Sequence, residues 1–390
     1  MPGYYEFACP VKILSGNQAL SNLPYEMGLL GATKALLVTD KGDVAAGLVG
    51  RVKAAFAGSA ASIAAVFDET PVDSSDKVVA RVARLYRDAG CDCLVAVGGG
   101  SCLDTAKGAN VVLTEGTEDL LAFQGAERTT KPTKPFVAIP TTAGTGSEVT
   151  SAAVITNVDK GIKMAITSYR IYPHVAILDP KMTLSVPPRL TAATGMDAMT
   201  HAVEAFYCLQ KNPVSDAFAV AAIRLVLDNL VRSVEDGANE QARLGMANAA
   251  LLAGISFSNS MVGLVHSLAH AAGGVAHVPH GVANAIFLPW GVEYNIGKCA
   301  DVIAELGPVM GVGAASASAE ERARAVVGAL RGLTGRLYEI CGLPLALKDT
   351  GVKPEQLEAI ARAAINDGTL AMNPAEVSYE DALAVLRKAF

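Results

Sequence analysis

Four of the six histidines of this 390-residue chain lie within residues 265–281, which read VHSLAHAAGGVAHVPHG. Within that stretch His266 and His270 are four residues apart, and Asp197 and His201 in TGMDAMTHAVEAF have the same spacing. A spacing of four places both members of a pair on one face of a helix. Because a buried carboxylate among neutral imidazoles is costly without a cation, the pattern predicts a divalent-metal site.

The donor types narrow the identity of the metal. Nitrogen and oxygen ligands without a thiolate suit Fe(II), Zn(II), Mn(II) or Ni(II) better than they suit a structural zinc site. His280, in HVPHG, follows a Gly-Gly pair at which the chain could fold back toward His266. His174 stands apart beside a proline, and we expect it to be structural. The spacing alone leaves open which members of the cluster bind the metal: His266, His270, His277 or His280.

A second stretch with chemical potential is GGGSCLDTAK, in which Gly98, Gly99, Gly100 and Ser101 follow the apolar run CLVAV and precede a helical pattern. Glycines at a strand-to-helix turn let a phosphate approach the backbone, and the helix N-terminus offers free N–H groups. The spacing differs from the GxGxxG fingerprint, and an ordinary tight turn would also explain the glycines. The stretch is therefore a candidate phosphate site with a structural alternative.

Two further stretches favour a nucleotide. Asp40 ends the apolar run KALLVTD, and a carboxylate at the end of a strand can accept hydrogen bonds from ribose hydroxyls and so select NAD over NADP. The alternative is an aspartate that only begins a turn. Residues 140–150, PTTAGTGSEVT, place four hydroxyl side chains and two glycines before Val149. This density of donors suits a pyrophosphate or a ribose, although a plain polar loop has the same composition.

The elements that must position these residues alternate in the first half of the chain. A strand–helix–strand series predicts a parallel sheet with helices on its faces, which we assign to an α/β domain of residues 1–185. Residues 186–390 show helical patterns, including a capping box at Ser318 and Glu321 and a helix that begins at Pro354, and we expect an all-helical domain. The strands are predicted at residues 34–40, 62–67, 93–99, 135–142 and 175–180, with a helix at 77–90.

Composition excludes several classes of function. The chain is 51% hydrophobic and 18% charged, with a net charge of −6 and no basic run, so we expect a globular protein without a nucleic-acid partner. The seven scattered cysteines contain no CxxC pair, which argues against a disulfide framework and favours the cytoplasm. The N-terminus lacks the basic and apolar regions of a signal peptide.

The stretch between Arg243 and Glu293 contains no charged residue and is long enough to cross a bilayer. However, asparagines, histidines, paired glycines and prolines interrupt it, and it lacks the flanking anchors of a membrane span. We therefore expect helices buried within the protein, which are also apolar on all sides, and no contact with a membrane.

Taken in order and at their separations, GGGSCLDTAK, PTTAGTGSEVT, MDAMTHAVEA and HSLAHAAGGVAHVPHG resemble the iron-dependent (group III) alcohol dehydrogenase family. The similarity covers essentially the whole chain. It implies an α/β N-terminal dinucleotide-binding domain with a parallel sheet, an all-α helical C-terminal domain and a metal in the cleft, in a dehydroquinate synthase-like architecture. It also implies NAD(H) and Fe(II) as cofactors, with Zn, Mn or Ni as other metals that the ligands would accept.

The resemblance also assigns individual residues. It makes His270 similar to a non-ligand histidine near the nicotinamide, which we interpret as a candidate catalytic proton relay, while His277 matches no ligand position. Phe257 in ISFSNS is similar to a substrate-pocket residue. The implied metal ligands are Asp197, His201, His266 and His280. Residues of the two loop motifs, with one aspartate and one lysine outside them, form the predicted cofactor-binding set: Asp40, Gly98, Gly99, Gly100, Ser101, Asp104, Thr141, Thr142, Thr145, Ser147 and Lys163.

These inferences predict reversible hydride transfer between NAD(H) and a small primary alcohol or diol, or its aldehyde, in a cytoplasmic homodimer or higher homo-oligomer. Two alternatives stay open. A metal-dependent lyase or synthase of the dehydroquinate synthase type would want several basic residues in the helical domain, and the uncharged residues 244–292 argue against it. A non-catalytic NAD or metal sensor would bind these ligands without turnover.

Overall fold

A computed structural model describes residues 3–390 of the chain. The contacts divide it into two compact units. The first unit is Ala8–Val186, and the second is Pro187–Phe390 together with the N-terminal residues as far as Phe7. In the second unit the Phe7 ring stacks on Phe218, with centroids 5.7 Å apart.

The first unit is an α/β structure. Its strands are β1 (Lys12–Ser15), β2 (Lys34–Val38), β3 (Ser62–Phe67), β4 (Cys93–Gly98), β5 (Gly125–Ala126), β6 (Phe136–Pro140), β7 (Ala152–Asn157), β8 (Ile162–Thr167) and β9 (Val175–Leu178). Its helices are α1 (Leu23–Leu29), α2 (Lys41–Ala45), α3 (Leu48–Ala55), α4 (Asp76–Asp88) and α5 (Gly100–Glu115).

Six strands form one parallel sheet in the order β1-β9-β6-β4-β2-β3. Alternate side chains of β2, β4 and β6 enter two different hydrophobic clusters, as Leu36 and Leu37 of β2 do. A parallel sheet is covered on both faces, so its strands appear in the sequence as continuous apolar runs. The structure confirms the parallel sheet and the strands predicted at residues 34–40, 62–67, 93–99, 135–142 and 175–180. The observed strands are one to three residues shorter than predicted, except the strand at 62–67, whose bounds are the same.

The sequence analysis missed β1 and a second, three-stranded sheet in the order β5-β8-β7. Strands β7 and β8 are antiparallel, with Ile155 opposite Met164, and both of these side chains are buried. The outward residues of the pair include apolar Val154 and Ile162, which are exposed. Because apolar residues occupy both faces, the alternation that identifies a half-buried strand is weak here.

The second unit contains no strand among its described residues, which confirms the all-helical prediction. The capping box at Ser318 is present, whereas Pro354 begins a 3₁₀ turn, Pro354–Gln356, and the α-helix follows it. Within residues 3–390, no helix combines the length and hydropathy needed to span a bilayer. The helices are α6 (Pro188–Tyr207), α7 (Pro213–Glu235), α8 (Glu240–Ser258), α9 (Leu264–Ala276), α10 (His280–Ala304), α11 (Leu306–Met310), α12 (Ala319–Cys341), α13 (Leu357–Ala364) and α14 (Tyr379–Ala389).

Candidate metal centre and nucleotide loop

Three helices of the second unit bring the predicted metal ligands together. Asp197 and His201 lie one turn apart in the buried middle of α6. His266 lies in the first turn of α9, and His280 is the first residue of α10. Between those helices the chain turns at His277, whose φ of +56° ends α9 in the left-handed region. The sharp reversal returns the start of α10 toward the start of α9.

The ligand atoms of Asp197, His201, His266 and His280 all lie within 4.8 Å of one another. From Asp197 Oδ1 the distances are 3.9 Å to His201 Nδ1, 3.9 Å to His266 Nε2 and 3.4 Å to His280 Nε2. Donors placed tetrahedrally about 2.1 Å from one ion would lie about 3.4 Å apart. Three imidazoles and one carboxylate at this separation therefore fit a single divalent cation. The side chain of His280 is 40% exposed, whereas the other three are buried.

The electrostatics of Asp197 and His266 favour the protonation states that bind a metal. Burial disfavours the Asp197 carboxylate, but the neighbouring histidines and the hydrogen bond from Asn284 together outweigh this effect and lower the pKa of Asp197. Burial, together with the other histidines, holds the pKa of His266 well below its usual range. An ionised carboxylate beside a neutral imidazole is the pair that a divalent cation requires.

Asn284 of α10 is a member of this cluster that the sequence analysis missed. Its Nδ2 donates a hydrogen bond to Asp197 Oδ1 at 2.6 Å and lies 3.3 Å from His266 Nε2 and 3.2 Å from His280 Nε2. Its Oδ1 is buried and has no hydrogen-bond partner within residues 3–390. The amide nitrogen thus faces three of the four predicted ligands, where it lies next to the same acceptor atoms that a cation would use. The sequence did contain a sign of Asn284, because it follows His280 by four residues and so lies on the same face of a helix.

Glu204 was also missed. Its Oε2 lies 2.6 Å from His266 Nδ1, the ring atom opposite the one that faces Asp197. Burial raises the pKa of Glu204 to about 7, against hydrogen bonds from backbone amides that lower it. Asp197, His201 and Glu204 follow the i, i+4, i+7 pattern of one helix face. That extended pattern could have revealed the third member.

His270 and Phe257 lie beside the cluster. The His270 ring stacks on His280, with centroids 5.3 Å apart, and its Nδ1 lies 2.9 Å from Asp367 Oδ2. The Phe257 ring stacks on His201 at 4.2 Å. His174 lies just before β9, where its Nδ1 accepts a hydrogen bond from Phe136 N at 3.2 Å.

In the first unit, the glycine motif forms the turn from β4 into α5. Gly98 adopts a φ of +158°, and a Cβ there would lie 2.5 Å from Cys102. A Cβ on Gly99 would lie 3.2 Å from Thr142 Oγ1, and one on Gly100 would lie 2.9 Å from Thr145 Cγ2. The glycines therefore allow the start of α5 to pack directly against the threonine loop. Ser101 lies half-buried in the first turn of α5.

Asp40 follows β2 and caps the N-terminus of α2, where its Oδ1 accepts a hydrogen bond from Asp43 N at 2.9 Å. The turn-forming alternative is thus present in the structure. Burial, followed by the charge of Asp40, raises the pKa of Asp43 to about 7, while a hydrogen bond from the Thr141 hydroxyl at 3.1 Å opposes the shift. The structure therefore brings Asp40, Asp43 and Thr141 together at the ends of β2 and β6.

The remaining predicted cofactor residues have partners of their own. Ser147 Oγ donates to Asp104 Oδ1 at 2.7 Å, which ties the threonine loop to α5. The Lys107 ammonium, fully buried, donates to Ser147 Oγ and Thr150 Oγ1 at 3.0 and 2.9 Å. Lys163 lies on β8, and its Nζ pairs with Asp73 at 2.8 Å.

Comparisons with known proteins agree with this arrangement. Residues 10–180 match the family model for iron-containing alcohol dehydrogenase, and residues 191–390 match the C-terminal model of the Fe-containing alcohol dehydrogenase family. The chain belongs to the iron-containing alcohol dehydrogenase family. It is therefore an oxidoreductase of the iron-type alcohol dehydrogenase class, as the sequence motifs predict.

Full-length relatives define the similarity further. The chain is 40% identical over 389 residues to 1,3-propanediol dehydrogenase of Klebsiella pneumoniae, covering 99% of each protein. It is 35% identical over 383 residues to NAD-dependent methanol dehydrogenase of Bacillus methanolicus, covering 98% of this chain and 99% of the relative. A crystal structure of a 1,3-propanediol oxidoreductase superposes with a TM-score of 0.95 at 39% identity, over 99% of this chain and all of that one. The two-part architecture predicted from the sequence is confirmed.

Proposed function

We propose that this protein catalyses reversible hydride transfer between NAD(H) and a small primary alcohol or diol, and that Asp197, His201, His266 and His280 hold the metal. The observation that carries the proposal is the convergence of four ligand atoms within 4.8 Å, three of them on buried side chains. The cofactors are NAD(H) and iron. When bound, the metal would act as a Lewis acid on the alcohol or aldehyde oxygen, and NAD(H) would exchange the hydride.

The nucleotide contacts that we propose are those of the glycine and threonine loops. The packing of Gly99 against Thr142 and of Gly100 against Thr145 supports this role, because it leaves the first amides of α5 beside several hydroxyl groups. In addition to these loops we propose Asp40 for the ribose. The full predicted set also includes Gly98, Ser101, Asp104, Thr141, Ser147 and Lys163.

On the substrate side we propose His270 as the proton relay and Phe257 as a wall of the pocket. The exposure and contacts of His270 support this role. Its side chain is partly exposed and its ring stacks on His280. The Asp367 carboxylate contacts Nδ1 and can orient the ring. Phe257 stacks on His201 and so offers an apolar surface next to the metal ligands. The relatives act on propanediol and methanol, as their names state, which supports a short alcohol.

We also propose a cytoplasmic homodimer or higher homo-oligomer. All seven cysteines are free thiols, which suits a reducing compartment. Large apolar side chains on α1, among them Tyr25 and Leu29, are exposed and could contribute to a contact between subunits. Light scattering of the purified protein measures the oligomeric state directly.

The experiment that tests the proposed function follows nicotinamide absorbance while the protein, loaded anaerobically with Fe(II), is incubated with NAD and a panel of short primary alcohols and diols. Turnover with the wild-type protein and its loss in Asp197→Ala would support the proposal. NADH or metal binding without turnover would support a sensor instead. A product formed without net change in nicotinamide would support a lyase.

A further inference from the structure

Glu204 is a fully buried carboxylate on α6, and it touches a proposed metal ligand without being one. We propose that Glu204 is a positioning residue that holds His266 in the tautomer with the proton on Nδ1, so that Nε2 is free for the metal. This inference rests on the proposed function, because it takes His266 as a ligand.

The hydrogen bonds around Glu204 indicate which ring nitrogen of His266 carries the proton. Oε1 accepts from Val265 N at 2.8 Å and from the Tyr207 hydroxyl at 3.3 Å, while Oε2 accepts from His266 N at 3.2 Å. The same Oε2 lies 2.6 Å from His266 Nδ1. Three N–H and O–H donors already point at these two oxygens, so the carboxylate is the acceptor in this network and the ring donates to it from Nδ1. A neutral imidazole carries one ring proton, which leaves the lone pair on Nε2.

Glu204 also contacts the backbone at the start of α9. Val265 N and His266 N belong to the first turn of α9, where helix amides have no partner within the helix. Glu204 accepts from both, so one carboxylate fixes the main chain and the ring of His266 together. A negative charge at a helix N-terminus is also favoured by the helix dipole.

Gly263 allows the Glu204 carboxylate to lie close to the start of α9. It is the residue immediately before α9, and a Cβ there would lie 3.3 Å from Glu204 Oε1 and 2.8 Å from Asn373 Oδ1. A larger residue at position 263 would push the carboxylate away from the helix start. The glycine therefore makes room for Glu204 and for its neighbour Asn373.

Asn373 provides a matched control. Its Oδ1 accepts from Leu264 N at 3.2 Å, so it caps the same end of α9. Its other hydrogen bonds go to Asn295 and Ala375 rather than to a proposed ligand. A role of Glu204 that is limited to capping the helix would be shared by Asn373, whereas control of the His266 ring would not.

The first arm of the test uses the unsubstituted protein loaded with Zn(II), which is diamagnetic. Nitrogen-15 NMR of the imidazoles should include a histidine with its proton on Nδ1 in a strong hydrogen bond, and this signal, unlike that of the His270–Asp367 pair, should be absent from His266→Ala. A His266 ring protonated on Nε2, or without a proton on Nδ1, would overturn the proposal even if no variant of Glu204 folds.

The second arm measures Zn(II) affinity by chelator competition and the visible absorption of the Co(II)-loaded protein. Glu204→Gln should bind Zn(II) about 10- to 100-fold more weakly and shift the Co(II) bands, because an amide N–H facing Nδ1 favours the wrong tautomer. Asn373→Ala should melt at a lower temperature with unchanged affinity and spectrum. Wild-type affinity and spectrum in Glu204→Gln would overturn the proposal. Wild-type affinity in His266→Ala would instead refute the ligand assignment of the proposed function.

Discussion

His270 and Asp367 are 97 positions apart in the sequence, yet His270 Nδ1 lies 2.9 Å from Asp367 Oδ2. Asp367 is held in turn by Thr369, whose backbone N–H and hydroxyl donate to its Oδ1 at 2.9 and 2.6 Å. Burial opposes ionisation of Asp367, but the hydrogen bond and charge of His270 and the hydrogen bonds from Thr369 together outweigh it and lower the pKa of Asp367. The carboxylate can therefore fix the orientation of the His270 ring.

His270→Ala should lower turnover about 100- to 10,000-fold while the metal stays bound, because the variant lacks the proton relay but keeps every proposed ligand. The measurement compares kcat with metal content determined by elemental analysis. Asp367→Asn should give a smaller loss, since it keeps the ring but weakens its orientation. Loss of metal from His270→Ala would show that His270 is a ligand and would refute the relay.

Asp197→Asn should abolish tight metal binding. The neutral amide keeps the shape of the side chain but removes the carboxylate whose Oδ1 lies 3.4–3.9 Å from three imidazole nitrogens. We expect affinity to fall by more than the factor of about 100 seen for residues outside the ligand shell. Asp216→Asn, which affects an ion pair with Lys211, is the control and should bind metal normally. Equal metal content in the two variants would contradict the proposed site.

Gly100→Ala should weaken NADH binding and cost about 1–3 kcal/mol of stability, because the new methyl would lie 2.9 Å from Thr145 Cγ2. Fluorescence titration with NADH and chemical denaturation measure the two effects. Gly50→Ala is the control, since that helical glycine has open space around it. Combining Gly100→Ala with Thr145→Ser, which deletes the obstructing methyl group, should restore part of both losses. A purely additive double variant would exclude the contact as the cause.

Because Lys107 is buried, we expect the free energy of unfolding to rise at alkaline pH. Burial lowers its pKa to about 8, below the value of about 10.4 for an unfolded lysine. Between these values the unfolded chain binds more protons than the native protein, so the free energy of unfolding increases with pH, by up to about 3 kcal/mol in total. Chemical denaturation between pH 8 and 10 should show this rise in the wild type and in Lys163→Met, which alters an exposed lysine. The rise should be absent in Lys107→Met, and its persistence there would assign it to another group.

Much of the fold could be predicted because the strands of its parallel sheet are apolar on both faces and some of its helices begin at recognisable capping residues. Runs such as CLVAV are typical of a central parallel strand, and the Ser318 capping box is local in the sequence. The hairpin β7–β8 could not be found in this way, because Val154 and Ile162 blur its alternation. Its pairing depends on contacts that only the folded chain makes.

In the metal cluster, too, contacts within one helix could be predicted, whereas contacts between residues far apart in the sequence could not. The pairs Asp197–His201 and His266–His270 were visible as helical spacings, and the structure places all four side chains in one region. What spacing could not show is that His270 points to Asp367 while His280 points to Asp197. That choice depends on the left-handed turn at His277, which sets the direction of α10.

The stacking of Phe7 on Phe218 has a practical consequence for dissecting the protein. The polypeptide enters the α/β unit after Phe7 and leaves it before Pro187, so the helical unit is assembled from two separate pieces of chain. A recombinant fragment that starts at Pro187 would lack the aromatic partner of Phe218 and would present that ring to solvent. A faithful excision of the helical unit would instead supply the N-terminal residues as a short fused or added peptide.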